Sequence, residues 1–262
     1  MSSKLPDLVA LDFDGVVCNG LQEYFASTKR AYQQIWSEEV DDRFADSFYR
    51  LRPVIETGWE MPILLRALTS GMPETDILRN FQAIAQQIIQ QEGLEKQAVV
   101  QKLDGVRDNW IKHNLDNWLS LHIFYPGVVE QLGKIINSGS KLYIVTTKEG
   151  RFAKQLLQQQ GIELSSEQII GKESKRPKYE TLRMLRERHQ QSAENTPKIS
   201  IFFVEDRLKA LQAVAQQPDL ESVSLFLADW GYNLEGDRLL ATQSQRIKLL
   251  SLERFRQNLN SW

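Results

Sequence analysis

The sequence predicts an α/β protein: a doubly wound, Rossmann-like parallel sheet carrying an inserted α-helical domain. Three observations predict it. From about residue 123 onward, short apolar runs alternate with amphipathic segments, the pattern of parallel strands joined by crossover helices. The run at 199–206, "ISIFFVED", is nearly continuous in apolar residues, as expected where helices cover both faces of a sheet. Between the first apolar run and this alternating region lies a helical stretch of roughly 100 residues, an ordinary domain size. The expected division is therefore a core of 1–17 with 123–262 and a helical cap of 18–122.

The first strand, 8–13, runs straight into Asp12, Phe13, Asp14 and Gly15. Residues 21–121 read as helices rich in Gln, Glu and Arg, punctuated by Gly58, Pro62, Gly71, Pro73 and Gly93. In 77–91, Ile77, Leu78, Phe81, Ile84, Ala85 and Ile88 fall on one face, which reads as bundle core. A helix then opens near Pro126 and ends at Gly139. A strand at 141–147, a helix closed by Gly161, a short strand at 167–171 and a helix with Leu182 and Leu185 on its apolar face follow. Next come the strand at 199–206, a helix at 207–217 and a strand at 222–232. The tail from 242 to 262 reads as one further helix.

Composition bounds the function. The chain has 262 residues, 42% hydrophobic and 25% charged, with a net charge of −2. Such a balance gives no reason to expect nucleic acid or an anionic membrane as partner. A single cysteine, Cys18, excludes an internal disulfide and points to a reducing, cytoplasmic setting. The N-terminal "MSSKLPDLVALDFDG" lacks the apolar core of a signal peptide, and no stretch is apolar enough to span a membrane. His113, His122 and His189 lack metal-ligand spacing and read as structural or solvated.

In an open parallel sheet, ligands bind at the carboxyl ends of the strands. Four strands here end in polar residues: Asp12-Phe13-Asp14-Gly15, Thr146-Thr147-Lys148, Glu205-Asp206 and Asp229-Trp230-Gly231-Tyr232. Asp12, Asp14, Asp206 and Glu205 in one crevice cannot all ionise without a cation. Oxygen-only ligands with room for substrate oxygens suit Mg2+.

This ordered set resembles the haloacid dehalogenase-like superfamily, in its phosphatase branch. Asp12-Phe13-Asp14-Gly15 is similar to the first motif of that family, "YIVTT" with Thr146 to the second, Lys178 in "RPKYETL" to the third, and "FFVED" to the fourth. Trp230-Gly231-Tyr232 resembles a loop of phosphoglycolate-phosphatase-like members. The resemblance implies an aspartyl-phosphate formed on Asp12, with Asp14 as general acid and base. It implies Mg2+ held by Asp12, the backbone carbonyl of Asp14 and Asp206, with Glu205 as the alternative ligand. Thr146 would hydrogen-bond the phosphoryl oxygens and Lys178 would neutralise charge, with Lys175 as the alternative lysine. Gly15 and Thr147 would border the substrate, a small phosphorylated metabolite. In the cap, Arg50 and Arg52 suit a carboxylate or second phosphate, or else pair with Asp41, Asp42 or Asp46. Two rival readings are a phosphoglucomutase-like transferase and a non-catalytic binding or assembly module. The presence of Asp12, Asp14, Thr146 and Asp206 argues against the module, and the lack of a His-Lys pairing near the first motif, in a cap that has His113, argues against the mutase.

Overall fold

The computed structural model describes residues 5–190 and 199–262. The chain divides into two compact units, one of residues up to Asn19 and from Phe124 onward, the other of Gly20–Ile123. The first unit begins with β1 (Leu8–Leu11) and β2 (Cys18–Asn19). The second holds α1 (Leu21–Trp36), α2 (Ala45–Leu51), α3 (Glu60–Thr69), α4 (Glu74–Gln91) and α5 (Lys96–Leu119). The chain then runs through β3 (Ile123–Phe124), α6 (Val128–Asn137), β4 (Lys141–Val145), α7 (Gly150–Gln159), β5 (Ile169–Ile170) and α8 (Lys178–Gln190). It ends with β6 (Ile201–Glu205), α9 (Leu208–Ala215), β7 (Val223–Ala228), α10 (Glu235–Gln243), β8 (Ile247–Leu250) and α11 (Leu252–Phe255).

Six strands form one sheet in the order β5-β4-β1-β6-β7-β8. Every neighbouring pair is parallel. The chain lays β4 and β5 on one side of β1, then returns to lay β6, β7 and β8 on the other. Strand order therefore reverses at β1, and a crevice opens at such a switch point beyond the carboxyl ends. All four residues of β1 are buried, which explains its unbroken apolar run. Leu8 and Ala10 join Leu182 and Leu185 of α8 and Leu208 and Leu211 of α9 in one cluster. The pleat turns Val9 and Leu11 to the opposite face. On that face Phe202 and Phe226 pack against Trp262.

The tail departs from the single helix expected over 242–262. α10 begins earlier, at Glu235, where Asp237 accepts a hydrogen bond from the Leu234 amide at 3.0 Å. Ile247–Leu250 then forms β8, in parallel register with β7. The apolar spacing of "IKLL" suits a helix face or an edge strand equally. The open edge of β7, with unpaired backbone donors and acceptors, decides for the strand.

In the helical unit, Ile77, Phe81, Ala85 and Ile88 of α4 are buried as expected, whereas Leu78 is 44% exposed. Glu23 of α1 is fully buried and accepts from Arg107 Nε at 2.8 Å and Trp118 Nε1 at 3.1 Å, both on α5.

Candidate active site

Asp12 follows the last residue of β1, and its amide donates to Val204 O of β6 at 2.9 Å. The backbone then folds back: the Gly15 amide donates to Cys18 O at 2.8 Å and the Cys18 amide to Phe13 O at 2.9 Å. This turn needs Gly15, whose φ is +89° and where an added Cβ would lie 2.1 Å from Asp206 Oδ2.

Asp12, Glu205 and Asp206 each bring a carboxylate oxygen within 4.8 Å of the others, and all three residues are buried. Lys178, the first residue of α8, lies with Nζ 2.9 Å from Asp12 Oδ1 and also donates to Glu205 Oε2. The Arg207 amide donates to Glu205 Oε1 at 3.0 Å. Asp206 Oδ2 accepts from the Tyr232 amide at 2.7 Å.

One ammonium does not balance three buried carboxylates. Burial, then the charge of Glu205, pushes Asp12 up to about 7 despite Lys178. Burial, then Asp12, pushes Asp206 up to about 6. Glu205 is also raised, chiefly by burial, with Lys178 opposing. Burial works against the Lys178 ammonium, but Asp12 and Glu205 outweigh it and hold its pKa above the ordinary lysine value. Three oxygen donors short of positive charge are a donor set that fits a hard divalent cation.

Asp14 faces a different partner. Lys148 Nζ donates to its two carboxylate oxygens at 3.2 and 3.3 Å. The carboxylate that joins Asp12 and Asp206 is therefore that of Glu205. Thr146 is buried and its Oγ1 accepts from the Lys148 amide at 3.1 Å, while Thr147 is exposed. Between the two candidate lysines, Lys178 reaches Asp12, and Lys175 is exposed in a left-handed turn at φ +52°. In the helical unit, exposed Arg50 donates to Glu74 Oε1 at 2.7 Å. Arg52 Nη1 donates to Ile55 O at 3.1 Å, with the guanidinium 5.0 Å from the Tyr24 ring centroid.

Three residues at the strand ends lay outside the sequence-based site. Lys148 stood in the second polar strand end but with no assigned partner. Trp230 Nε1 donates to Val16 O at 3.0 Å, and buried Asn233 donates to Asp206 O at 3.1 Å. Nothing in one sequence marks Asn233, because its partners come from two other strands.

A sequence model described as "Haloacid dehalogenase-like hydrolase" matches residues 63–219, more than half of the chain. The chain belongs to the haloacid dehalogenase-like hydrolases. The match to this hydrolase family takes in Thr146, Lys178, Glu205 and Asp206 but begins after Asp12-Phe13-Asp14-Gly15, which the sheet brings alongside them. The hydrolase resembles a predicted phosphoglycolate phosphatase from Haemophilus somnus at 16% identity and TM-score 0.59, over 89% of this chain and 90% of that one. It resembles a predicted phosphatase from Clostridium acetobutylicum at 14% identity and TM-score 0.56, over 97% of each chain. It also resembles protein tyrosine kinase A of Mycobacterium tuberculosis at 15% identity and TM-score 0.58, over 98% of this chain and 99% of that one. At these identities the likeness shows a shared fold, and a fold alone does not choose between phosphoryl acceptors. No curated protein matches the hydrolase by sequence. Among the described residues, no helix is long and apolar enough to cross a membrane.

Proposed function

We propose that this hydrolase is a Mg2+-dependent phosphatase that cleaves a small phosphorylated metabolite through an aspartyl-phosphate on Asp12. The observation that carries the reading is the buried group of Asp12, Glu205 and Asp206 at the switch point, of which Lys178 reaches Asp12 and Glu205 only, leaving the group short of positive charge. Asp12, Asp206 and the backbone carbonyl of Asp14 are the proposed Mg2+ ligands; Glu205 is taken up by Lys178 and the Arg207 amide. Bound Mg2+ would offset the repulsion between the Asp12 carboxylate and an anionic phosphoryl group.

The chain's own groups would do the rest. An Asp12 oxygen attacks phosphorus, and the bond to the leaving alcohol breaks as Asp14 supplies the proton. Water then attacks the aspartyl-phosphate, giving its proton to Asp14 and releasing inorganic phosphate. Lys178, gripped by Glu205, keeps positive charge beside the nucleophile. Thr146 serves the phosphoryl oxygens, and the glycine backbone at Gly15 lets amides come close to them, with Thr147 at the rim. The helical unit is proposed as the cap over 18–122 that selects the substrate. Arg50 and Arg52 are its candidates for a second anionic group, and Arg50 would have to leave Glu74 to serve.

The test is phosphate release from a panel of phosphorylated metabolites with Mg2+ and with excess chelator. Release that requires Mg2+ and disappears in Asp12→Asn is expected, with acid-stable protein-bound phosphate absent from that variant. Wild-type release in Asp12→Asn, or full release in chelator, overturns the reading.

A further inference from the structure

We propose that Asn233 is a positioning residue that sets Asp206 for the metal; the inference rests on the Mg2+ reading above. Residues 229–234 link β7 to α10 and lie directly on the acidic strand ends. A Cβ built on Gly231 would fall 2.3 Å from Asp206 Cβ and 2.5 Å from Gly15 O, so the loop backbone touches both. Within this loop Asn233 is 4% exposed. Its Nδ2 donates to Ala228 O at 2.7 Å and to Asp206 O at 3.1 Å. That one amide group ties the end of β6 to the end of β7, just beyond their last ladder pair, Glu205 with Leu227.

The amide cannot flip without loss. Arg238 Nη1 donates to Asn233 Oδ1 at 3.1 Å and to Asn233 O at 3.1 Å. The acceptor oxygen is thus fixed towards a cation, and the two N–H donors towards two carbonyls. Asparagine matches that demand at this size, with two donors and one acceptor in one plane. The consequence falls on the preceding residue. Anchoring Asn233 delivers the Tyr232 amide to Asp206 Oδ2 at 2.7 Å, which fixes the plane of the carboxylate. Asn233 therefore acts on the metal through Asp206 and touches no reacting atom. Partners that orient a ligand in this way typically cost about 10–100-fold in metal affinity when removed.

The test is calorimetric titration of Mg2+ into the metal-free full chain, beside its melting temperature and its kcat at saturating Mg2+. Asn233→Ala is expected to weaken Mg2+ binding by roughly 10–100-fold, with kcat recovering at high Mg2+. Arg238→Met keeps the Nδ2 donors but frees the amide to turn, so a smaller weakening is expected. An unchanged Mg2+ affinity in Asn233→Ala, with only a lowered melting temperature, overturns the proposal and leaves Asn233 a structural residue. If Asn233→Ala does not fold, an unchanged affinity in Arg238→Met overturns it instead. A wild-type chain that takes up no Mg2+ overturns the metal reading and this inference with it, whereas normal wild-type uptake with normal variant uptake overturns the inference alone.

Discussion

Asp12 and Asp14 are the same side chain two positions apart, and their surroundings divide them. Asp12 is sealed between Lys178 and two further carboxylates, which suits a nucleophile whose charge is set by its neighbours. Asp14 sits partly exposed and paired with Lys148, within reach of a proton donor or acceptor from solvent. A group that protonates a leaving alcohol matters most when that alcohol is a poor leaving group. Asp14→Asn should therefore slow an alkyl phosphate by about 10²–10⁴-fold and p-nitrophenyl phosphate by much less. Steady-state rates on both substrates decide this, and equal losses would remove Asp14 from the acid role. The Asp-x-Asp spacing was legible in the sequence because it is local. Lys178 was legible too, through the family's third motif, but Lys148 was not, since it reaches Asp14 only once β4 is paired beside β1.

Among the elements, the helical unit depends on a buried charge as well as on its apolar stripes. Glu23 on α1 accepts from Ser27, Arg107 and Trp118, and joins α1 to α5. Removing one partner of a buried pair strands the other, at a cost of about 3–5 kcal/mol. Glu23→Ala should lower stability by about that amount in urea denaturation, and a loss below about 1 kcal/mol would show that water readily replaces the carboxylate. The stripe on α4 was readable because a helix repeats its burial at a fixed period. Glu23 was not, because a glutamate on an amphipathic helix looks solvated until Arg107, far along the chain, is seen to cover it.

Across the whole molecule, the raised carboxylates make stability depend on pH. Asp12 moves from 3.8 to about 7 and Asp206 from 3.8 to about 6. Between those values the metal-free folded state holds protons that the unfolded chain has released. Stability therefore falls as pH rises through this window. Asp219, held down to about 2 by Arg183, acts only below it. The metal-free melting temperature should fall from pH 5 to pH 8, and Asp206→Asn should flatten that fall. Mg2+ needs the carboxylates ionised, so its stabilising effect should grow over the same range. A metal-free melting temperature that rises with pH would mean that these carboxylates are not held protonated by burial.

The sequence by itself determined what local pattern can carry. It supplied the alternation of apolar runs and helices, the placement of acidic residues at strand ends, and the order in which the family's motifs occur. Each of these is a relation between near neighbours or a periodicity along the chain. Tertiary structure alone decided three things. It made 247–250 an edge strand, because β7 offered an unpaired edge to a segment that suited helix or strand equally. It gave Glu205 to Lys178, and Lys148 to Asp14, because charges choose partners by distance in space. It set Asn233 against Asp206 and Ala228, because the turn after β7 folds back over the end of β6, and only that closure joins this loop asparagine to the acidic strand end.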